Sequence, residues 1–346
     1  MQYRALVLSG KKKISVEHME TKPLESGWVR IKLGAGGICG SDLHYYRDYG
    51  NVGFPLKNPV VMGHEASGAI FEIGPDVEDL APGDKVAVNP VINCGFCPAC
   101  HSGQSNLCQK KRFPGSALNY PHINGLFREY FEMPARCCRK VPADTDLAKL
   151  AFVEPLACSL HAVMKAGNIT GRRVLITGSG PIGVLAAAAA RCGGAGQVAI
   201  TDVTDEPLNI AKKMGADLAV NSLTTPLSEL GRFDVAVDAS GSPSAVVDCM
   251  RSLRKGGTMV QLGTTPSTDL PVPWILLQSM EINILGCSQF NIEFDLAVAL
   301  ILGGRIDPMP MLSRQFAFED GEEAFKFAGD RKISMKTQFI SAKETK

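Results

Sequence analysis

The 346-residue sequence lacks features that mark several whole classes of protein. Its longest apolar run, Ile182 to Ala190, falls short of the about 20 residues that a ~30 Å hydrocarbon core requires, so no membrane role is expected. It has no charge excess: 36 Lys and Arg face 35 Asp and Glu, for a formal net charge of +1. A nucleic-acid footprint is therefore missing, and the basic clusters Lys11 to Lys13 and Lys110 to Arg112 are too short to make one. Residues Met1 to Gly10 place Arg4 within a short alternating run and have no apolar core of the signal-peptide kind, which leads to the expectation of a cytoplasmic protein. Internal repeats and low-complexity tracts are absent too. What remains, 45% hydrophobic and 21% charged, is the composition of a globular chain with real cores, and the length suits two domains.

Cysteine, by contrast, is plentiful, with 11 residues. Four of them, Cys94, Cys97, Cys100 and Cys108, follow the spacing Cys-x2-Cys-x2-Cys-x7-Cys. Disulfides inside so short a stretch would need tight loops, whereas a zinc ion needs only four soft sulfur ligands at about 2.3 Å. A closed tetrahedral thiolate cage is the expectation, with the remaining cysteines reduced.

Up to about Arg139 the chain reads as short strands and Gly/Pro-rich turns. Val29 to Leu33 and Gly68 to Gly74 alternate faces, Ala81 to Val88 is a turn entering a strand, and no long amphipathic helix precedes Leu147. This half is expected to be a small β-rich, barrel-like domain. The texture changes near residue 155. Apolar strands at 173–178, 197–202, 217–220, 233–238, 258–262 and 282–285 alternate with helical segments, notably 181–192 and 206–214. That spacing predicts βαβ units around a parallel sheet covered on both faces. The expected division is 1–155, 156–290, and a tail, 291–346, that returns to the first domain.

Gly178-Ser-Gly180-Pro181-Ile182-Gly183 fits G-x-G-x-x-G, a pattern that gains force from its place after a strand and at the start of a helix. Gly178 would make the tight turn, Gly180 would let the backbone approach a pyrophosphate, and Gly183 would allow close helix packing over the strand. The helix N-terminus favours anions through its unpaired N–H groups and dipole. Asp202 ends the next strand 19 residues after Gly183, where its carboxylate would accept ribose hydroxyls and repel a 2′-phosphate. Because Val203 to Pro207 supplies no Arg or Lys, NAD is favoured over NADP.

A second set of possible ligands is scattered: Cys39, the adjacent His64 and Glu65, and Glu154 in Phe152-Val-Glu-Pro-Leu156. Singly, each has a bland reading as a core or surface residue. Together they offer a thiolate, an imidazole and two carboxylates, suited to a zinc site that leaves one position to water or substrate.

On these motifs, in this order, the chain resembles the zinc-dependent medium-chain alcohol and polyol dehydrogenases over essentially its whole length. Gly37-Ile-Cys-Gly-Ser-Asp-Leu-His-Tyr-Tyr46, Arg112-Phe-Pro-Gly-Ser-Ala117 with Pro121-His122, and Ala151 to Ala157 resemble the branch of that family acting on a sugar acid. The resemblance implies an α/β protein with a GroES-like β-rich catalytic domain and a Rossmann doubly wound parallel-sheet domain. It implies two Zn2+ ions, one structural on Cys94, Cys97, Cys100 and Cys108, and one catalytic on Cys39, His64 and Glu65. Glu154 would lie beside the metal-bound water or ligate directly, and which acid binds at a given step is left open. The implied reaction is reversible oxidation of a secondary alcohol of a sugar acid or polyol by NAD. Ser41 would take the hydroxyl proton and pass it by way of the nicotinamide ribose to His44, although a hydrated loop histidine is an equal reading of His44. Tyr45 would line the substrate pocket, with plain packing an equal reading, and Arg112 first, then Arg47 or His122, would meet a substrate carboxylate, each having an ordinary surface residue as its rival reading. Gln289 stands where polyol dehydrogenases usually carry an arginine, which weakens the substrate assignment. A homodimer or homotetramer is implied, through apolar residues around Leu270 to Leu285. The rival readings are a sorbitol- or xylitol-type polyol dehydrogenase, a zinc-free reductase of the same fold, and a non-catalytic zinc-binding protein.

Overall fold

The alternation around Val29 becomes the strand Trp28–Gly37, whose Val29, Ile31, Leu33 and Ala35 are buried. In the computed structural model, which describes residues 1–266 and 269–340, the chain forms two compact units. One comprises Met1–Glu154, Leu312–Asp330 and Lys336–Ile340; the other comprises Pro155–Met311 and Arg331–Met335. The return to the first unit thus begins at Leu312 rather than at residue 291. The helix Glu293–Leu302 stays with the second unit because Phe290 and Phe294 stack at 5.6 Å and His161 Nδ1 lies 3.0 Å from Glu293 Oε1. Residues 341–346 of the expected tail lie outside the described residues.

In the first unit the strands run across the main sheet in the order Cys138–Lys140, Lys85–Val88, Glu65–Ile73, Trp28–Gly37, Lys336–Ile340, Leu312–Phe316, with Tyr130–Pro134 also paired to Trp28–Gly37. A second sheet joins Lys13–Glu20, Gln2–Gly10 and Val60–Val61. The register sets Gly37 opposite both Glu65 and Gln338, so the loop to Cys39 leaves the sheet where two neighbouring strands begin. Aromatic rings fill the core beneath, with Phe127 and Phe339 at 5.0 Å edge to face. Burial of such rings contributes about 1.5–3 kcal/mol each. Among the short helices of this β-rich half, Gly40–Asp48 carries Ser41 and His44.

The second unit contains the expected parallel sheet, ordered Leu218–Asn221, Gln197–Asp202, Arg173–Thr177, Phe233–Asp238, Leu253–Gln261, Asn283–Gly286. Val174, Leu175 and Ile176 are all buried, the continuous apolar run of a strand covered on both faces. Chain order reverses on either side of Arg173–Thr177, and the carboxyl end of such a switch-point strand is where doubly wound folds bind ligands. The alanine-dense helix Pro181–Cys192 starts there, its small side chains allowing the buried run Val184 to Ala190 to lie close on the sheet. An 18-residue window within Leu147–Lys165 is apolar enough to cross a membrane, but 72% of that window is buried, as in a core helix.

Candidate metal and nucleotide sites

The four cysteines of the lobe converge. All four sulfurs lie within 4.8 Å of one another, and the separations Cys94–Cys100, Cys97–Cys100 and Cys94–Cys108 are 4.0, 3.6 and 3.5 Å. A regular tetrahedron with Zn–S bonds of ~2.3 Å has edges of about 3.8 Å, so the set fits a zinc ion. Backbone N–H groups also point at the sulfurs: Cys94 N–H donates to Cys108 Sγ at 3.3 Å. The N–H groups of Cys100 and Gln109 draw the Cys97 thiol down to about 6, whereas burial and the neighbouring sulfurs push Cys100 up to about 11, as crowded thiols that share their protons do.

The scattered set converges as well. One donor atom each from Cys39, His64 and Glu65 lies within 4.8 Å of the others, with His64 and Glu65 buried. Cys39 caps the helix Gly40–Asp48, and Glu65 opens the strand opposite Gly37. A side chain at position 37 would strike Glu65 Oε2 and Lys336 Cε, which is why glycine stands there. Burial lowers the His64 pKa, but the charges of Asp42, Cys39 and Glu154 around it reverse that and carry it well above the usual value. The pocket therefore calls for a cation, and with its thiolate, imidazole and carboxylate the donor set fits zinc with a position to spare. Glu154 is buried and near enough to act on His64 by charge, yet it is outside the group that converges within 4.8 Å.

Three residues at this site escaped the sequence reading. Asp42 is fully buried; its Oδ2 accepts the Cys39 N–H at 3.0 Å, and its Oδ1 faces His64 Nδ1 at 3.8 Å. Burial pushes its carboxyl up to about 6. A carboxylate behind a ligating histidine orients the ring and fixes its tautomer. Lys336 is buried, forms an ion pair with Glu65, and donates to the Ile38 carbonyl at 3.0 Å. Phe113 packs on the His64 ring at 5.1 Å. Asp42 lies inside the motif around Cys39, so the interval Cys39-x-x-Asp42 at a helix start was the available signal; Lys336 offered none.

Ser41 is in the first turn of Gly40–Asp48, and His44 lies one turn on, partly exposed, with Nδ1 3.0 Å from Arg47 Nη2. Partial burial and the Arg47 cation lower the His44 pKa. Tyr45 is buried in the core, its hydroxyl accepting the Ala117 N–H at 3.1 Å. His122 has both ring nitrogens engaged: Nδ1 lies 2.9 Å from the Asn119 carbonyl, and Nε2 accepts the Lys57 N–H at 2.9 Å. Arg112 lies over the Trp28 ring at 5.9 Å and lines a cavity of about 330 Å³ that Cys39, His64 and Glu65 do not line. Gln289, in the second unit, adopts a φ of +53°.

At the glycine loop, Gly178 has a φ of +89°, which favours glycine. A side chain at Gly183 would collide with the Gly178 carbonyl, whereas one at Gly180 would enter open space. That open space, before the helix that Pro181 begins, fits a pyrophosphate. Ile182 fastens the helix through its carbonyl, which accepts from Ser159 Oγ at 2.9 Å. A cavity of about 280 Å³ lies alongside, lined by Gly178, Gly180, Asp202 and Ser240 among others. Asp238, fully buried and not singled out from the sequence, braces its wall by accepting from Thr177 Oγ1 at 2.8 Å, Ser240 Oγ at 2.7 Å and Gly241 N–H at 2.9 Å. Asp202 does not stand apart from cations, as Val203 to Pro207 suggested: Arg331, 129 residues on, donates to its Oδ2 at 2.7 Å.

Residues 25–143 match the family model described as alcohol dehydrogenase GroES-like domain, and residues 181–302 that described as zinc-binding dehydrogenase. The chain is 39% identical to L-idonate 5-dehydrogenase (NAD(P)(+)) of Escherichia coli, covering 97% of this chain and 98% of that one. It is 31% identical to sorbitol dehydrogenase of Bacillus subtilis, over 94% and 93%. The crystal structure of L-idonate 5-dehydrogenase from Escherichia coli superposes with a TM-score of 0.94 at 38% identity, covering 98% of each chain. The order of motifs, the two family matches and this likeness along nearly the whole length agree, and the chain belongs to the zinc-binding alcohol dehydrogenases.

Proposed function

We propose that the chain oxidises a secondary alcohol of a sugar acid with NAD, reversibly, and that the substrate is L-idonate, giving 5-keto-D-gluconate. The observation that carries this reading is the convergence of Cys39, His64 and Glu65 in a chain 39% identical to an L-idonate 5-dehydrogenase. Bound zinc supplies a Lewis acid for the alcohol oxygen, and NAD supplies the hydride acceptor.

The chain's own residues do the rest. Asp42 faces the His64 ring with a carboxylate 3.8 Å from Nδ1 and favours its charged form, and Lys336 holds Glu65 by an ion pair. Ser41 accepts the proton that the substrate hydroxyl loses, and His44 passes it to solvent. With its pKa lowered by burial and Arg47, His44 is neutral, and so able to take a proton, at neutral pH. For the substrate carboxylate, Arg47, on the helix that Cys39 caps, stands ahead of Arg112, which lies over Trp28 in a cavity that Cys39, His64 and Glu65 do not line; a guanidinium binds carboxylate bidentately. His122 is a weaker one because both of its ring nitrogens already have partners.

A polyol such as sorbitol is the second reading, favoured by the likeness to sorbitol dehydrogenase and by a Gln at 289 that cannot pair with a carboxylate. Location in the cytoplasm and assembly as a homodimer or homotetramer complete the proposal. The edge strand Asn283–Gly286 and the exposed Trp274 and Ile275 support a self-association surface there. A substrate panel with NAD and NADP, before and after chelation, tests the function. The expected result is a higher kcat/KM for L-idonate than for sorbitol, lost with the metal; a preference for sorbitol would overturn the sugar-acid assignment. Arg47→Ala should raise KM for L-idonate, and an unchanged KM in folded protein would remove Arg47 as the clamp.

A further inference from the structure

We propose that Arg331 lets the adenosine end of the nucleotide pocket accept a 2′-phosphate, by neutralising Asp202 and offering its remaining N–H groups to the phosphate. The inference deepens the cofactor reading above and rests on it.

The Asp202 carboxylate is already saturated. Its Oδ2 accepts the Ser179 N–H at 2.7 Å and Arg331 Nη2 at 2.7 Å, while Oδ1 accepts the N–H groups of Val203 at 2.8 Å and Thr204 at 3.2 Å. A carboxylate offers about four acceptor sites, so a ribose diol can join only by displacing a donor. Three of the four donors are backbone groups held by the glycine loop and the end of the strand. The fourth is a side chain 54% exposed, against 3% for Asp202. Arg331 is therefore the donor that yields.

Two bound states follow. With NAD, the diol hydroxyls take the place of the guanidinium on Oδ2, and Arg331 swings to solvent. With NADP, a dianionic group would lie beside Asp202 in a pocket that Asp248 also lines. Among the described residues lining this cavity, Arg331 is the only cation. It remains on Asp202, neutralises it, and turns its other N–H groups to the phosphate, with the Ser222 hydroxyl within the same wall. A guanidinium carries five donors in a planar fork, enough to serve carboxylate and phosphate together. The discrimination against NADP that Asp202 alone would impose is thereby relaxed.

The test titrates the purified zinc-loaded protein with ADP-ribose and with 2′-phospho-ADP-ribose, by calorimetry, so that no turnover is needed. Wild type is expected to bind both, with the phosphorylated ligand losing affinity steeply as salt rises. Arg331→Ala should weaken 2′-phospho-ADP-ribose by about tenfold or more, a change of ~1.4 kcal/mol, and leave ADP-ribose equal or tighter. Arg331→Lys should recover part of the phosphate binding. Equal weakening of both ligands by Arg331→Ala would make Arg331 a mere support of the pocket and overturn the proposal, as would unchanged binding of the phosphorylated one. Wild type that binds ADP-ribose but not its 2′-phosphate would also overturn it while leaving the nucleotide site standing. Wild type that binds neither would remove the nucleotide site itself.

Discussion

The two metal-binding groups of the first unit are built in opposite ways. The tetrathiolate lobe draws every ligand from residues 94–108 and balances its charge with nearby backbone N–H groups. The Cys39 group draws on residues from 39 to 65, leans on Asp42 and Lys336, and keeps its carboxylate buried against a lysine. A local cage is closed by its own sequence, and a metal held there would act as a staple. A distributed site is assembled by the sheet, and the fold must supply a countercharge at every step.

That comparison breaks most visibly on losing a ligand. Cys39→Ser or His64→Ala should lower kcat by about 10³-fold or more, since metal polarisation is worth several kcal/mol, while the melting temperature changes little. Cys97→Ser should do the reverse, lowering Tm by about 5 °C or more with activity per folded molecule largely kept. Metal analysis should count one zinc in each variant against two in wild type, and thermal melts beside steady-state rates check the split. Equal loss of activity in both variants would deny the division of labour.

Lys336→Met sharpens the contrast further. Removing one partner of a buried ion pair costs about 3–5 kcal/mol, so metal-free protein should melt well below wild type. In zinc-loaded protein Glu65 retains a cation, and the deficit should shrink. Melts of both forms measure it, and equal deficits would mean that Lys336 does not serve as the countercharge to Glu65.

The smallest expected effect concerns the proton path. Burial and Arg47 lower the His44 pKa, so the neutral ring persists to lower pH than in a free histidine. Arg47→Ala removes a repelling cation, which raises the His44 pKa and should move the acidic limb of the kcat profile to higher pH, by about half a unit to one unit. An unmoved limb would take His44 out of the relay.

Legibility followed the same line. Much that is decided within a few residues is legible in the sequence: the four cysteines, the glycine loop from Gly178 to Gly183, and the strand ending in Asp202. Buried parallel strands were read well because their apolar runs do not depend on register. The helix Gly40–Asp48 was missed because it is short and presents no clear apolar stripe. Lys336 and Arg331 were out of reach for a different reason. Their contacts span 298 residues to Ile38 and 129 to Asp202, and only the returning chain brings them there. The preference for NAD, argued from an absence of cations next to Asp202 in sequence, overlooked a cation adjacent in space.

The late position of Lys336 also sets a timetable for synthesis. The cysteine lobe has all its ligands once Cys108 has left the ribosome, and it can take its ion while most of the chain is still unmade. The pocket around Glu65 gains its ammonium partner only after residue 336 has folded against the sheet. The order of the polypeptide thus makes every ligand of the cage available before the buried partner of Glu65 exists.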